Sequence, residues 1–503
     1  MRSTFMGLET NKRGLYAQQT GLYTTGNNIS NANSLGYTRQ RVNMQATQGL
    51  TASPGLIGTG VEASSIQRIR DTFVDNQFRQ ESNKLGYWES RSNAISQIED
   101  IVGEPSEYGL QKSLSEFWSS LQTLATSPSS SGAKAIVIQR GQDVAESFNH
   151  LHSSLTEAQA NVGKEISFST DKINSLLKDV ARLNGQISGM ESAGYLPNEL
   201  YDQRDLLLDE LSTYLPIETK YEKTGGRTSA IAEGTVTVSL KMNDGTKIEL
   251  VKGKESGELG INPTDLHASE GNQLIQGINV KAVGETEFAN TDLAKFSDSG
   301  KLKSLINSYG YGTGDGNGLY PDMIADLNKM AAAFANEMNI VHSTGFDSNG
   351  NYREINFFDA KVPGQAFTAG NIVVNEDLVR DPNLLAVSKS ADEKADAENA
   401  KALLAIQKNG LPGLDGATLQ DFFSGIIGKL GVNGQQAQRM AFNTASLQGA
   451  AANRRDSISA VSLDEEMTDM IRFQQAYNAS ARMITVIDET LDKIINGMGI
   501  AGR

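Results

Sequence analysis

Near the end of the chain, apolar residues recur every seven positions at Leu463, Met470, Tyr477, Ile484, Leu491 and Met498. Phe473, Ile487 and Ile494 follow three residues after Met470, Ile484 and Leu491, which completes the a/d seam of a coiled-coil helix. Ser462 with Glu465 three residues on spells a capping box, and Asp464, Glu465 and Glu466 suit the positive N-terminal end of a helix. Lys493 and Gly497 suit its other end. Residues 463–496 make a rod of about 50 Å at ~1.5 Å per residue. Such a helix cannot bury its own stripe and needs a partner. The opposite end of the chain supplies one: Leu8, Leu15, Leu22 and Ile29 also recur every seven residues. The intervening seam positions there are Asn11, Gln18 and Thr25, so this stripe is thin and should order only against the richer helix. The chain leaves and returns to one place.

Between these ends the hydrophobic period changes several times. The asparagine-rich run 27–33 stops the first helix, Leu35-Gly36-Tyr37 turns the chain into an extended stretch over 38–47, and 49–60 reads as a loop. Helical spacing dominates 66–214, with Ile173, Leu176, Leu177, Val180 and Leu183 on one face of a helix over 166–190, and with Trp88 and Trp118 as core. Residues 235–240 and 247–250 alternate around the turn Asn243-Asp244-Gly245, a β-hairpin, and Ile278, Val280 and Ala282 continue the alternation weakly. Helix returns over 300–342 around a glycine-rich loop at 310–318. Strand-like runs follow at Phe357-Phe358 and Ile372-Val373-Val374, and helices again over 403–459. The fold class is α+β and multidomain. Terminal helices form a coiled-coil-like domain (1–60 plus 456–503), and a mostly helical middle domain takes 61–216, 296–345 and 395–455. An inserted β-rich outer domain takes 217–295 and 346–394.

Composition narrows the chemistry. A length of 503 residues suits about three domains, and a net charge of −15 argues against nucleic acid or an anionic membrane surface as partner. There is no cysteine, hence no disulfide framework and no thiol nucleophile. No signal peptide is readable in the first twenty residues, and no stretch approaches the ~18–20 apolar residues of a membrane helix. By ordinary rules this reads as cytoplasmic. Asp347, Asn349 and Asn351 alternate like a calcium loop, but the glycine is Gly350 and position twelve is Phe358, so a turn is the better reading. The glycines of 310–318 lack the lysine of a P-loop, and His150 and His152 point to different helix faces. No catalytic, cofactor or metal constellation stands out.

Two segments then change the picture. The run 27–39, with Asn28, Ser30, Asn31, Ala32, Gly36 and Tyr37, resembles the N-terminal motif of bacterial flagellar rod, hook and hook-associated proteins. The run 473–482, with Gln475, Tyr477, Ala479 and Arg482, resembles their C-terminal motif. Segments 198–212, 342–358 and 443–449 are similar to the interior of the hook-associated junction members of that family.

The resemblance implies a structural, non-enzymatic component of the hook–filament junction that permits filament assembly. Its partners would be a ring of identical copies, hook protein, a second junction protein, the flagellar export apparatus and a dedicated export chaperone on the C-terminal helix. Nucleic acid and membrane are not among them. It places the protein outside the cell, exported without a cleaved signal peptide. Leu8, Leu15, Leu22, Ile29, Leu463, Met470, Phe473, Tyr477, Ile484, Ile487, Leu491 and Ile494 are expected to form the assembly interface, so Ile487→Asp should abolish assembly. A rod or hook subunit, a scaffold-borne wall hydrolase and an adhesive outer domain stay open as alternatives.

Overall fold

A computed structural model describes residues 5–497 apart from 53–54, 104–108, 265, 267–272, 314–315, 348–349, 353 and 392–395; Met498 and Asn349 lie outside the described residues. Helix α1 (Met6–Ser30) leads into β1 (Gln40–Ala46), β2 (Leu50–Ala52), β3 (Gly55–Ile57) and β4 (Val61–Arg68). Strands β1 and β4 pair antiparallel, with the small β2–β3 hairpin at their tip. The loop expected over 49–60 is therefore partly strand. The domain boundary expected at residue 60 falls inside one hairpin: β4 holds only two large apolar residues, Val61 and Ile66, and their spacing of five does not alternate as a strand pattern should.

Helices α2 (Thr72–Val102), α3 (Leu110–Thr126), α4 (Ser131–Ser192) and α5 (Asn198–Tyr214) follow. Strands β5 (Ile217–Glu222), β6 (Thr235–Lys241), β7 (Lys247–Lys252) and β8 (Glu255–Ser256) form a four-stranded antiparallel sheet. The expected hairpin is β6–β7, with Gly245 of its turn at φ +83. Strands β9 (Glu258–Asn262), β10 (Gly277–Lys281) and β11 (Ala289–Thr291) make a second sheet. Then come α6 (Lys301–Tyr309), α7 (Leu319–Ser343), the short pair β12 (Phe358–Ala360) and β13 (Ile372–Val374), α8 (Glu376–Arg380), α9 (Glu398–Ala405), α10 (Leu419–Ser459) and α11 (Leu463–Asp492). A π-helical turn, Lys493–Gly497, extends α11 where a glycine cap was expected.

Helix α4 is the axis on which the rest is hung. Its 62 residues span about 90 Å, so the segment expected as a helix over 166–190 is only its second half. Around its first half an aromatic core closes: Phe334 packs edge-on against Phe117 and Trp118 at 5.9 Å and lies 5.1 Å from Phe358. Trp118 is buried there as expected, whereas Trp88 is half-buried. The second half carries the two larger sheets through buried asparagines that use both amide atoms. Asn184 donates to Val236 O at 2.8 Å and accepts Val236 N–H at 3.0 Å; Asn174 does the same with Leu259 at 2.8 Å each. Asn149 on the first half donates to Ile372 O at 2.8 Å and so docks β13.

This separates the β material. Asn149 and Asn174 stand about 37 Å apart along the helix, so β12 and β13 pack with the helical core and, among the described residues, not with the two larger sheets. A single outer domain of 217–295 plus 346–394 was expected because local alternation carries no record of which part of α4 a strand docks on.

Candidate assembly interface

Helices α1 and α11 pair antiparallel, and three glycines of α1 lie against α11. A Cβ placed on Gly7 would lie 3.3 Å from Ile487 Cδ1, on Gly14 3.4 Å from Ser480 Oγ, and on Gly21 3.0 Å from three ring atoms of Phe473. Each step of seven down α1 meets a step of seven back along α11. Glycine removes the Cβ and lets the helix backbones approach closely, so large side chains of α11 lie directly on the α1 backbone. The expected α1 stripe of Leu8, Leu15, Leu22 and Ile29 is one residue off this line: these side chains are half-buried on its flank. On the remaining side, Ala17, Thr24, Thr25 and Asn28 are buried, and the β1–β4 hairpin lies close enough that a Cβ on Gly60 would sit 3.2 Å from Thr10 O.

On α11, Met470, Phe473, Tyr477, Ile484, Ile487 and Leu491 share the half-buried face, as their spacing requires. Leu463 and Ile494 do not join them; they are 50% and 46% exposed. The stepwise pairing explains this, since the ends of α1 fall opposite Asp464 and Asp488, and both residues lie beyond them. The seam is thus closed within one chain, and Ile487→Asp would disturb folding as well as assembly. Outside the seam, α11 keeps large apolar side chains in solvent on both flanks: Met467 and Ile471 on one, Met483 and Val486 on the other. The heptad seam gave no sign of these. Gln475, Ala479 and Arg482 of the C-terminal motif are also exposed.

The N-terminal motif forms a clasp at the foot of this helix pair. Asn28, buried at the end of α1, donates to Gln40 O at 2.8 Å and accepts from Gln40 N–H at 3.0 Å and from Tyr37 OH at 2.8 Å. Asn31 donates to Asn27 Oδ1 at 2.8 Å, Ala32 N–H reaches Ile29 O at 3.4 Å, and Ser30 is exposed. Gly36 has φ +78, and a Cβ there would lie 2.0 Å from Leu206 Cδ1, so only glycine fits the turn against α5. Burial and the neighbouring Asp202 carboxylate push the Tyr37 hydroxyl pKa up.

Arg39 closes the clasp, bonding Glu466 at 2.7 Å and Glu465 at 2.5 Å while its N–H reaches Ser459 O. Ser462 stands at the N-cap of α11 but makes no side-chain cap bond, so the capping box does not form: Glu465 is turned to Arg39 instead.

Behind the clasp lies a buried ion network drawn largely from the 198–212 segment. Arg68 bonds Asp202 at 2.6 Å, Asp205 at 3.0 Å and Glu233 at 2.5 Å; Arg70 and Arg79 also bond Asp205, at 3.0 and 3.2 Å. Burial alone raises a carboxyl pKa, but Arg70, Arg68 and Arg79 outweigh it at Asp205 and hold that group well below the carboxylate range. Asp202 has one arginine, and there burial wins and shifts the group upward. Arg455 near the end of α10 bonds Asp209 at 2.6 Å and stacks 3.9 Å from the Phe78 ring, which ties α10, α5 and α2 together. The network is a joint between the terminal helix pair and the body.

Comparison with known proteins agrees with this architecture. The flagellar hook-associated protein FlgK helical domain matches residues 95–358, and the flagellar basal body rod FlgEFG protein C-terminal region matches residues 454–497. Flagellar hook-associated protein 1 of Bacillus subtilis is 41% identical over 522 residues, covering 100% of both chains. This chain belongs to the flagellar hook-associated protein 1 family. The Escherichia coli member is 27% identical, covering 96% of this chain and 98% of its own. The solved structure of the flagellar hook junction protein FlgK from Burkholderia pseudomallei shares the fold, with a TM-score of 0.61 at 13% identity over 76% of this chain and 100% of that one.

Membership in the flagellar hook-associated protein 1 family makes the chain a structural component of the flagellum, working among other flagellar components. Among the described residues no helix is long and apolar enough to cross a membrane.

Proposed function

We propose that this chain is the junction subunit that joins hook to filament as a ring of identical copies, and that α11 is the surface on which the ring closes. The observation that carries this reading is the distribution of apolar side chains around α11. One face is covered by α1, yet Met467 and Ile471 on one flank and Met483 and Val486 on the other are about half exposed. Large apolar side chains on both sides of a covered face are not finished by the one partner that covers it. Two uncovered flanks call for neighbours on both sides, which head-to-tail contacts in a closed ring supply.

The same exposed side chains give a dedicated export chaperone a target before assembly. The thin α1 stripe suits a terminus that unfolds for passage through the flagellar export apparatus, which accounts for an extracellular location without a cleaved signal peptide. Hook protein below and a second junction protein above complete the partners, and no catalytic role is assigned. Deletion of the gene tests the reading: bare hooks with flagellin released into the medium support it. Absent hooks would move the protein down to rod or hook, and normal filaments would contradict a junction role.

A further inference from the structure

Six Asn-Gly pairs occur in the chain, beginning at Asn184, Asn317, Asn349, Asn409, Asn433 and Asn496. Asparagine is chemically labile before glycine, because a residue without Cβ leaves its backbone nitrogen free to swing onto the preceding side-chain amide. Attack of that nitrogen on Cγ forms the N–C bond of a succinimide ring and expels ammonia. Water then opens the ring at one carbonyl or the other, which gives aspartate or isoaspartate. Water is the only co-reactant. A fold suppresses the reaction by holding the side-chain amide, or by holding the peptide unit that carries the attacking nitrogen.

Among the five pairs whose asparagine is described, four are held. Asn184 is fully buried, and both its amide atoms are bonded to Val236. Asn433 lies inside α10, where Gly434 N–H is engaged in the helix ladder. Asn496 lies in the π-helical turn after α11 and donates from Nδ2 to Asp492 at 2.6 Å. Asn317 is exposed, but its carbonyl, on the same peptide unit as Gly318 N, accepts Tyr311 N–H at 2.9 Å. Asn409 differs from all of these. It and Gly410 are exposed, and among the described residues neither its side-chain amide, nor its carbonyl, nor Gly410 N–H has a hydrogen-bond partner.

We propose that Asn409 is a site of spontaneous deamidation through attack by Gly410 N, and that its isoaspartate product frees the loop 410–417 from α7. That loop is closed on itself: Leu411 N–H donates to Ala417 O at 2.9 Å, and Leu411 O accepts Gly416 N–H at 3.1 Å. Leu411 and Leu414 are buried, and a Cβ on Gly413 would lie 2.9 Å from Ala333 Cβ on α7. The loop ends at Thr418, the N-cap of α10. At its entrance Gly410 stands so close to the Gly416 carbonyl that a Cβ there would lie 2.1 Å from that oxygen. Isoaspartate routes the main chain through its side chain and inserts one extra carbon immediately before Gly410. The closure has no room for that carbon and must open. The reaction also leaves a new carboxylate just past the end of α9, where the helix dipole opposes negative charge.

Ageing of the purified full chain in warm, mildly alkaline buffer tests the site, read by peptide mass spectrometry with enzymatic methyl labelling of isoaspartate. One hydrogen bond on the reacting peptide unit is equivalent to about tenfold in rate. Asn409 is therefore expected to gain one mass unit about tenfold sooner than Asn317, with Asn184, Asn433 and Asn496 slower still. In the urea-denatured chain all six pairs are expected to convert together. Conversion of any other described pair as fast as Asn409 in the folded chain overturns the site, and so does an Asn409 that stays intact when folded. The same order of conversion in the denatured chain overturns the fold as the selector. Amide exchange over residues 411–423 reads the consequence: faster in the aged chain, unchanged in an Asn409→Gln chain aged alongside it. Equal exchange before and after conversion of Asn409 overturns release of the loop.

Discussion

Alanine substitutions at two glycines of one helix should act in opposite directions. Gly14 and Gly21 both lie in the middle of α1 and both face α11, so replacement by alanine gains about 1 kcal/mol of helix propensity at either site. The packing differs. At Gly14 the new methyl would lie 3.4 Å from Ser480 Oγ, an ordinary contact. At Gly21 it would lie 3.0 Å from Cγ, Cδ1 and Cδ2 of the Phe473 ring, tighter than ordinary contact, so the ring and the helix behind it must shift to admit it. Overpacking of that kind costs about 1–3 kcal/mol. Gly14→Ala should therefore stabilise the pair by up to about 1 kcal/mol, and Gly21→Ala should destabilise it by about 1 kcal/mol. Amide hydrogen exchange across α1 and α11 in the full chain reads the difference directly, since each kcal/mol changes the open population about fivefold. Slower exchange in Gly14→Ala with faster exchange in Gly21→Ala is expected. Equal slowing in both variants would refute glycine-mediated contact at the Phe473 end of the seam.

Other parts of the structure give sharp expectations as well. Buried His342 donates from Nδ1 to Ile355 O and accepts Ala386 N–H at Nε2, and burial pushes its pKa from 6.5 to about 4. The unfolded chain then binds a proton below pH 6.5 that the native chain refuses until about pH 4. Stability is full above that window and falls by about 3 kcal/mol as pH drops through it; His342→Gln should flatten the slope in denaturant melts, and an unchanged slope would refute the assignment. Arg39→Ala leaves the buried Glu466 carboxylate without its cation and should cost about 2 kcal/mol after allowance for the partial exposure of Arg39. Faster exchange in the first turn of α11 reports it. Gly36→Ala forces a Cβ into Leu206 at positive φ and should loosen the clasp by more than the ~1 kcal/mol of backbone strain alone, seen as proteolysis within residues 31–39.

The seam of α11 was legible because large apolar residues at a 3.5-residue period admit few other arrangements. Met470, Phe473, Tyr477, Ile484, Ile487 and Leu491 lie where that period puts them. Its counterpart on α1 was misplaced by one residue because hydrophobicity ranks leucine above glycine, while close packing favours the residue with no side chain. Strand β4 was missed because Val61 and Ile66 are the only large apolar residues of 61–68 and stand five apart, an odd spacing that gives no period-two pattern. Glu466 looked like a helix-dipole acid; its burial depends on Arg39, more than four hundred positions away, and no local pattern encodes that. The exposed flanks of α11 were present in the sequence as Met467, Ile471, Met483 and Val486, but these lie outside the a and d positions that a heptad seam marks. The ion network around Asp205 was visible only as the charged run 202–205, since its partners come from β4 (Arg68), the connector after it (Arg70), α2 (Arg79) and the loop before β6 (Glu233).

The central claim is that the flanks of α11, and not its seam, hold one subunit to the next. The Met483→Asp, Val486→Asp double variant tests it most directly, because both side chains face solvent in the monomer and neither contributes to the seam. Cells carrying only this variant would be examined by electron microscopy for filaments and assayed for flagellin in the medium, with the purified variant checked for a native melt. The account predicts a normally folded protein, hooks without filaments, and flagellin lost to the medium. Full-length filaments on hooks that contain the double variant would contradict it.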